Sequence, residues 1–393
     1  MVKKVFQIYL FLFTFQMFNR EFVILGRFDL RFLTGVLGVI LLLRALKKVI
    51  KNKEINLLLK DNYFMLINAF FVLIFLSNMM WLFNGLDIRL TSFLAILLSI
   101  TYNYIFVLVV YFNLNLTEKD KVITYMNLSF IFLFMSMLLV LFGIDLGRLI
   151  GHEFRFVARA DALAILPMRI AGFAQDPNFV SILAMMVLFS NLIFNSKSKK
   201  YIMALAIIAL VLSFSRTILA IATLGFMFYC FEKLFKKEVV TKLCVVTAIG
   251  LILAPFVIFL LNEPDVALST LSTRFSMWTT AIHLFLRSPL FGSGLTGFRS
   301  YFLSTPSGWY VQPHNTFLSV LSESGTIVFG LLLLIFWVQF KLNHQFHSLL
   351  ILMLVAICFS YDVTSHAYMV YIFILIYYLI HPKANHYFNK KDP

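Results

Sequence analysis

Long runs of apolar residues alternate with short polar segments along almost the whole chain. A helix that crosses a membrane needs roughly 20 consecutive, mainly apolar residues. Runs of about this length predict helices at 28–46, 62–83, 90–112, 122–144, 178–195, 239–261 and 315–338. A weaker run at 5–18 ends at Asn19. The pattern therefore predicts an all-α, polytopic membrane protein.

Two further apolar stretches are too long for one membrane crossing and short for two. At 1.5 Å per residue, residues 201–231 would extend about 46 Å as a helix. Lysines precede and follow the stretch, which indicates that both of its ends are cytoplasmic. We therefore predict a tight hairpin of two short helices with residues 213–217 at its outward tip. Residues 348–380 repeat this pattern, with Asp362 in the polar tip.

These segments give about twelve transmembrane helices with both termini in the cytoplasm, in a single membrane domain that spans residues 1–393. Two external loops stand out, a first one at 145–177 and a large, catalytic one at 262–314. Within the second loop, apolar residues at intervals of three and four predict an amphipathic helix over 268–288. We expect this helix to lie in the membrane interface.

The composition excludes most other classes of protein. The chain is 61% hydrophobic and 13% charged, with a mean hydropathy of +0.91, whereas about a quarter of the residues in soluble domains are charged. A net charge of +15 would suggest nucleic acid as the partner of a soluble protein. Here the charges lie between apolar segments, so we attribute them to membrane topology and expect no nucleic-acid partner. The three cysteines lie inside apolar runs and predict no disulfide framework.

Lysine and arginine separate onto opposite sides of the predicted topology. All twenty lysines fall on the cytoplasmic side, and twelve of the thirteen arginines fall on the external side, Arg44 being the exception. The tendency of cytoplasmic loops to be positive explains the lysines but not the external arginines. A guanidinium matches the geometry of phosphate oxygens. Although headgroups and loop acids would satisfy most of these arginines, a central few predict an anionic, phosphorylated ligand at the external leaflet.

The hairpin tip and the first loop contain the first candidate residues. Arg216 interrupts an apolar stretch, and a charge at that depth is usually functional, although a snorkelling side chain is the structural alternative. Asp176 and Asn178 would open the next helix as a capped N-terminus, and capping alone is an equal alternative to substrate binding. Arg169 lies near that positive helix end, which suits an anion.

The second loop contains the remaining candidates. Arg274 borders the apolar stripe of the amphipathic helix, whereas Arg287 points away from it. The segment GSGLTG has the spacing of a dinucleotide fingerprint but follows a helix, so we interpret it as a tight turn beside a bulky ligand. His314 opens the next helix and suits a general base near neutral pH, although a capping or core histidine is the commoner case.

Three further positions complete the predicted substrate-binding set. Asn315 follows His314, and Glu323 lies about two turns deeper on the same helix, where it would bind a sugar hydroxyl or pair with an arginine. Asp362 at the last hairpin tip is a weaker candidate of the same kind. The chain contains no HExxH motif, no paired His and Cys spacing and no P-loop, so we expect neither a metal nor a cofactor.

Five segments, in their order along the chain, resemble the O-antigen polymerase and ligase family of bacterial integral-membrane glycosyltransferases. They are RIAGFAQDPN, LSFSRT, RFSMW, SPLFGSGLTGF and PHNTFLSVLSESG, and they lie within residues 169–330. The resemblance implies a glycan donor on polyprenyl pyrophosphate, presented at the outer leaflet of the cytoplasmic membrane, and an acceptor glycan. It also implies that Arg216, Arg274 and His314 form the functional trio.

The two enzymatic functions that the resemblance allows differ in the molecule that accepts the glycan. A polymerase of O-antigen, capsule or exopolysaccharide extends a second lipid-linked repeat, and this is the interpretation we prefer. A ligase transfers the glycan to lipid A core or to protein. A transporter or flippase of an anionic lipid-linked glycan is the alternative from another class. The expected partners also include membrane lipids and a chain-length regulator or other polysaccharide-assembly proteins.

Overall fold

In the computed structural model, the described part of the chain is almost entirely helical. The residues that the structure describes are 2–19, 23–24, 28–52, 62–83, 90–113, 119–144, 146, 157–159, 168–174, 176–194, 199–235, 243, 246–247, 250, 271–294, 297–298, 313 and 315–342. The described helices are α1 (Val2–Phe18), α2 (Leu30–Lys51), α3 (Asn62–Phe83), α4 (Leu90–Asn113), α5 (Lys119–Leu141), α6 (Pro177–Phe194), α7 (Lys199–Ser213), α8 (Arg216–Leu234), α9 (Leu271–Arg287) and α10 (Thr316–Leu342).

Two short antiparallel ladders accompany the helices. Strand β1 (Val23–Ile24) pairs with β2 (Phe28–Asp29), and β3 (Val157–Arg159) pairs with β4 (Met168–Ile170). The second ladder lies in the region that the sequence predicts as a plain loop. A short 3₁₀ turn at Gly172–Ala174 then leads towards α6.

The predicted positions of the apolar helices are largely confirmed. The helix predicted at 62–83 has these bounds. The one predicted at 90–112 ends one residue later, and the one predicted at 178–195 begins and ends one residue earlier. Among the described residues, two helical stretches are long and apolar enough to cross a membrane, Asp120–Leu141 and Thr316–Val338. The total of twelve crossings stays a prediction, since the predicted hairpin at 348–380 and most of the helix at 239–261 lie outside the described residues.

Helix α5 begins and ends three residues earlier than the predicted 122–144. Its end is set by Gly143, whose φ of 78° is the left-handed conformation that favours glycine. The amide of Gly143 donates to the Val140 carbonyl, and that of Ile144 donates to Leu139. These two bonds form a Schellman C-cap, which satisfies the last carbonyls and stops the helix inside the apolar run.

The described residues fall into two compact units. The first takes in the residues up to Lys48 and Leu108–Met227, and the second Val49–Val107 and the described residues from Phe228 onward. In the first unit α5 contacts α1, α6 and α7, and α6 packs along α7. In the second unit α10 contacts α3 and α9.

Contacts within the first unit fix the directions of its helices. Thr34 of α2 donates to Gln16 near the end of α1, which joins the start of α2 to the end of α1. The buried side chains of Asn127 on α5 and Asn191 on α6 donate to one another at 3.0 and 2.8 Å. Ser136, further along α5, accepts from the Phe173 amide just before α6, so this pair is antiparallel.

Lysines and Arg169 lie at opposite ends of the first unit. Helices α1, α5 and α7 all begin at one end. The described lysines at the starts of these helices are Lys3, Lys4, Lys119, Lys121, Lys199 and Lys200. The other end holds Arg169 and the start of α8 at residue 216. For these residues, the structure agrees with the separation of lysine from arginine that the sequence predicts.

The amphipathic helix of the second unit is confirmed as α9, but its apolar side is covered by protein. Ala281, Ile282 and Leu284 are buried in a cluster with Phe298 and with Leu318 of α10. Protein packing thus covers this side of the helix at Ala281, Ile282 and Leu284, and the location of the helix in the membrane interface stays a prediction. A helix packs its apolar stripe on whatever apolar surface lies nearest, and α10 supplies that surface.

Candidate functional site

The break between α7 and α8 lies within the predicted tip at 213–217. Helix α7 ends at Ser213, and Ser215 begins the next helix by accepting the Leu219 amide at 2.8 Å. Between them Phe214 has a φ of 40°, a strained conformation for a residue with a side chain. Arg216 is the first residue of α8, and its side chain lies outside the described residues. The return of α8 beside α7 as a tight hairpin stays a prediction.

Arg169 joins this break to the start of α6. It is the central residue of β4, where it pairs with Ala158 of β3. Its Nε donates to the carbonyl oxygen of Ser213 at 3.0 Å, and its Nη2 donates to Oδ1 of Asn178 at 2.8 Å. The planar fork thus holds the last residue of α7 against the first turn of α6. Among the described residues these two neutral acceptors use two of its five N–H groups.

Asp176 and Asn178 both have structural roles. Oδ1 of Asp176 accepts from the Asn178 amide at 2.7 Å, which makes Asp176 the N-cap of α6 with Pro177 as the first helical residue. The capping that the sequence offered as the structural alternative is therefore present. The side chain of Asn178 is occupied by Arg169. Their predicted contact with substrate stays a prediction.

Two buried serines add a second anchor at the same place. The hydroxyl oxygens of Ser181 on α6 and Ser213 on α7 lie 2.7 Å apart, and both side chains are fully buried. Ser213 is thus held through its hydroxyl by α6 and through its carbonyl by Arg169. From the sequence, Ser213 was recognised only as part of a polar interruption. Its doubled anchorage fixes the chain three residues before Arg216.

The second unit contains a comparable link between α9 and the start of α10. Nε1 of Trp278 donates to the carbonyl oxygen of Pro313 at 2.9 Å. Position 274 lies one turn before Trp278 on α9, and His314 directly follows Pro313. The side chain of Arg274 and all of His314 lie outside the described residues. The apolar pattern gave no sign of this bond, although a packed indole usually finds an acceptor for its N–H.

Asn315 is the N-cap of α10. Its Oδ1 accepts from the Leu318 amide at 3.1 Å, and its carbonyl accepts from Ser319 at 2.9 Å. The residue is completely buried, and its Nδ2 has no hydrogen-bond partner among the described residues. A buried amide donor without an acceptor is rare and calls for an explanation.

Helix α10, predicted as a continuous helix, is interrupted at Gly325. The φ of 79° and ψ of −178° at this residue are not helical. The break frees the carbonyls of Ser322 and Glu323, and amides of the preceding loop bond to them. Ser293 donates to Ser322 at 2.9 Å, and Gly294 donates to Glu323 at 2.8 Å. The freed carbonyls are thereby satisfied by protein donors.

Gly292 of the GSGLTG segment allows this close approach to α10. A Cβ on Gly292 would lie 2.3 Å from the carbonyl carbon of Glu323, and one on Gly325 would lie 2.2 Å from the carbonyl oxygen of Leu290. On the far side of the break, the amide of Thr326 donates to Pro289 at 2.8 Å. The space that we assigned to a bulky ligand is filled by backbone, so that part of the interpretation is wrong at Gly292.

The other predicted site residues occupy different surroundings. Glu323 is 7% exposed, and its carbonyl also accepts from Ser77 of α3 at 3.1 Å. Arg287 is exposed at the end of α9, as the sequence indicated. Asp362 lies outside the described residues. The convergence of Arg216, Arg274 and His314 in one pocket stays a prediction.

The comparison with protein families agrees with the motifs. Residues 201–335 match the family described as O-antigen ligase. This range contains four of the five segments on which the resemblance was based, and RIAGFAQDPN precedes it. No individual curated protein matches the chain significantly. Members of the family are integral-membrane enzymes of the glycosyltransferase type. Residues 201–335 are therefore similar to the O-antigen ligase family, in agreement with the resemblance that the motifs carry.

Proposed function

We propose that this protein polymerises a bacterial surface polysaccharide at the external face of the cytoplasmic membrane. The donor is a glycan on polyprenyl pyrophosphate, and the acceptor is the terminal sugar of another lipid-linked repeat. A hydroxyl oxygen of the acceptor bonds to the anomeric carbon of the donor. The bond from that carbon to the phosphate oxygen breaks, and polyprenyl pyrophosphate leaves with the electron pair.

In this mechanism His314 positions the acceptor hydroxyl and takes its proton, a contribution typically worth about 10²–10⁴-fold in rate. Arg216 and Arg274, assisted by Arg169, bind the pyrophosphate and stabilise the negative charge that grows on it. Charge-assisted, bidentate contacts in a site that excludes water are strong enough for this role. Arginine charge takes the place of a divalent cation, and the activated donor supplies the free energy.

The hydrogen bond from Trp278 to Pro313 is the observation that carries this proposal. It joins α9, one turn beyond position 274, to the residue that precedes His314. This bond supports the proposal that an arginine and a histidine 40 residues apart in sequence act together. The bonds from Arg169 to Ser213 and Asn178 support an equivalent arrangement around Arg216.

The test is the length of the polymer made by cells that carry Arg216→Ala, Arg274→Ala or His314→Ala at normal expression. Each variant should lose the long chains. Arg44→Ala is the matched control, since Arg44 is exposed on α2 and is not among the residues of the proposed site. Unchanged long chains in all three variants would refute the assignment.

The ligase reaction is the second candidate, favoured by the description of the matched family as O-antigen ligase. Purified protein supplied only with lipid-linked repeats separates the two reactions. A polymerase forms a ladder of multiples, whereas a ligase forms no product until lipid A core or an acceptor protein is added. Unpolymerised repeats outside cells with His314→Ala would speak against a transporter, whose loss would retain the repeats inside.

A further inference from the structure

Asn315 has a side-chain donor that its described surroundings leave without an acceptor. The residue is 0% exposed, and its Nδ2 has no hydrogen-bond partner within the part of the chain that the structure describes. Water compensates a donor at the surface, but a buried donor without a partner is strongly disfavoured. The side-chain oxygen of Asn315 is therefore hydrogen-bonded, whereas its side-chain nitrogen has no acceptor among the described residues.

The orientation of this amide is fixed by the helix that it caps. Oδ1 accepts from the Leu318 amide, so exchanging the positions of oxygen and nitrogen would place two donors together. Nδ2 belongs to the same planar group and therefore lies at the N-terminal end of α10. Nδ2 therefore cannot exchange places with Oδ1, because Oδ1 is needed to cap the helix.

The same helix end favours negative charge. Residues 316–324 form a helical segment before the break at Gly325, long enough to present a positive N-terminus. The helix end and Nδ2 of Asn315 both act as donors, so the group that completes the site must be an acceptor. An anionic oxygen satisfies both, whereas a hydroxyl gains less from the helix end.

We infer that Nδ2 of Asn315 donates to a phosphate oxygen of the lipid-linked pyrophosphate, so that the start of α10 is part of the donor site. This inference rests on the proposed function and specifies which half of the reaction Asn315 serves. The bond from Trp278 to Pro313 holds the chain two residues before Asn315. It keeps Nδ2 of Asn315 in the same part of the second unit as α9, which carries Arg274.

Two substitutions separate this role from capping. Asn315→Ser and Asn315→Asp both preserve an oxygen that can cap the helix. Serine removes the amide donor, whereas aspartate also introduces negative charge beside the ligand. An anion would be repelled by the aspartate, but a sugar hydroxyl could donate to it. Asn52→Asp is the control for charge, because Asn52 is exposed in the turn after α2.

The experiment measures the affinity of purified, full-length protein in detergent for farnesyl pyrophosphate, with inorganic pyrophosphate as a second probe. We expect Asn315→Ser to weaken binding of farnesyl pyrophosphate about tenfold and Asn315→Asp to weaken it further. Asn52→Asp should bind like wild type. The variants should have the same order of affinity for inorganic pyrophosphate if the phosphate alone is recognised. An affinity of Asn315→Asp within about twofold of wild type would overturn the inference.

Further arms distinguish failure of this inference from failure of the proposed function. If Arg216→Ala and Arg274→Ala lose binding while both Asn315 variants keep it, the proposed function stands and the inference is wrong. If wild type binds neither probe, both are wrong. If neither Asn315 variant folds, the inference is tested by hydrogen exchange of the wild-type protein with and without farnesyl pyrophosphate. Farnesyl pyrophosphate should then protect the amides around 315–320, and unchanged exchange would count against the inference.

Discussion

The indole nitrogen of Trp278 and the carbonyl oxygen of Pro313 are joined by a hydrogen bond of 2.9 Å. This bond links α9, which carries position 274, to the residue before His314. Because Pro313 is buried and α9 packs on α10, the bond sets the register between two segments that the chemistry requires together.

Trp278→Phe should therefore reduce activity more than stability. Phenylalanine keeps most of the aromatic surface but removes the only N–H of the ring. We expect chain elongation to slow by about tenfold, with a small decrease in melting temperature. Trp337→Phe is the control, because Trp337 is 58% exposed on α10. Equal activity of the two variants would contradict a positioning role.

Arg169→Lys should behave like Arg169→Ala, although it keeps the positive charge. An ammonium is a compact point charge and cannot bridge the carbonyl oxygen of Ser213 and the side-chain oxygen of Asn178 as the guanidinium does. Leaving these acceptors unsatisfied should cost about 1–3 kcal/mol of stability. Melting temperature and polymer length measure the effect, and Arg44→Lys is the control. Substantial rescue by lysine would indicate that Arg169 acts through charge alone.

Gly325→Ala should disrupt the protein, whereas Gly330→Ala on the same helix should not. At Gly325 a new Cβ would meet the carbonyl oxygen of Leu290 at 2.2 Å, in a backbone conformation that disfavours any side chain. At Gly330 a Cβ meets no atom within 4 Å, and alanine stabilises a helix by about 0.5–1 kcal/mol relative to glycine. Yield and melting temperature in detergent compare the pair. Tolerance of Gly325→Ala would show that the helix can close across the break.

The buried pair of Asn127 and Asn191 should give a large coupling in a double-mutant cycle. Each single change to leucine leaves the partner amide buried and unsatisfied, at a cost of about 1–3 kcal/mol. The double change removes both polar groups and should cost less than the sum of the single changes. Melting temperatures of the four proteins provide the measurement. Additive effects would mean that the two amides do not depend on each other.

The lengths of the apolar runs predicted most described helices well, because membrane helices are determined mainly by length and hydropathy. It also predicted the break before Arg216, since a cluster of serine, arginine and threonine interrupts an apolar run there. The break at Gly325 was missed because the residues after it are as apolar as a continuous helix would require. Its cause is the segment 289–294, whose approach cannot be inferred from the helix alone.

The candidate site was likewise predicted only in part from the sequence. Residue types identified Arg169, Asp176 and Asn178, and the N-capping of α6 by Asp176 followed from the sequence order Asp-Pro-Asn. The β3–β4 ladder that supports Arg169 was not predicted, since each strand has three residues and no clear alternation. The unsatisfied donor of Asn315 is a property of packing and has no signature in sequence.

The interlocking of the 289–294 loop with the interrupted helix ties the end of α9 to α10. Hydrogen bonds on both sides of Gly325 join this loop to α10. Rotating α9 against α10 would break several of these bonds at once. If the protein takes a lipid-linked donor as proposed, the opening that admits the lipid must therefore involve other elements.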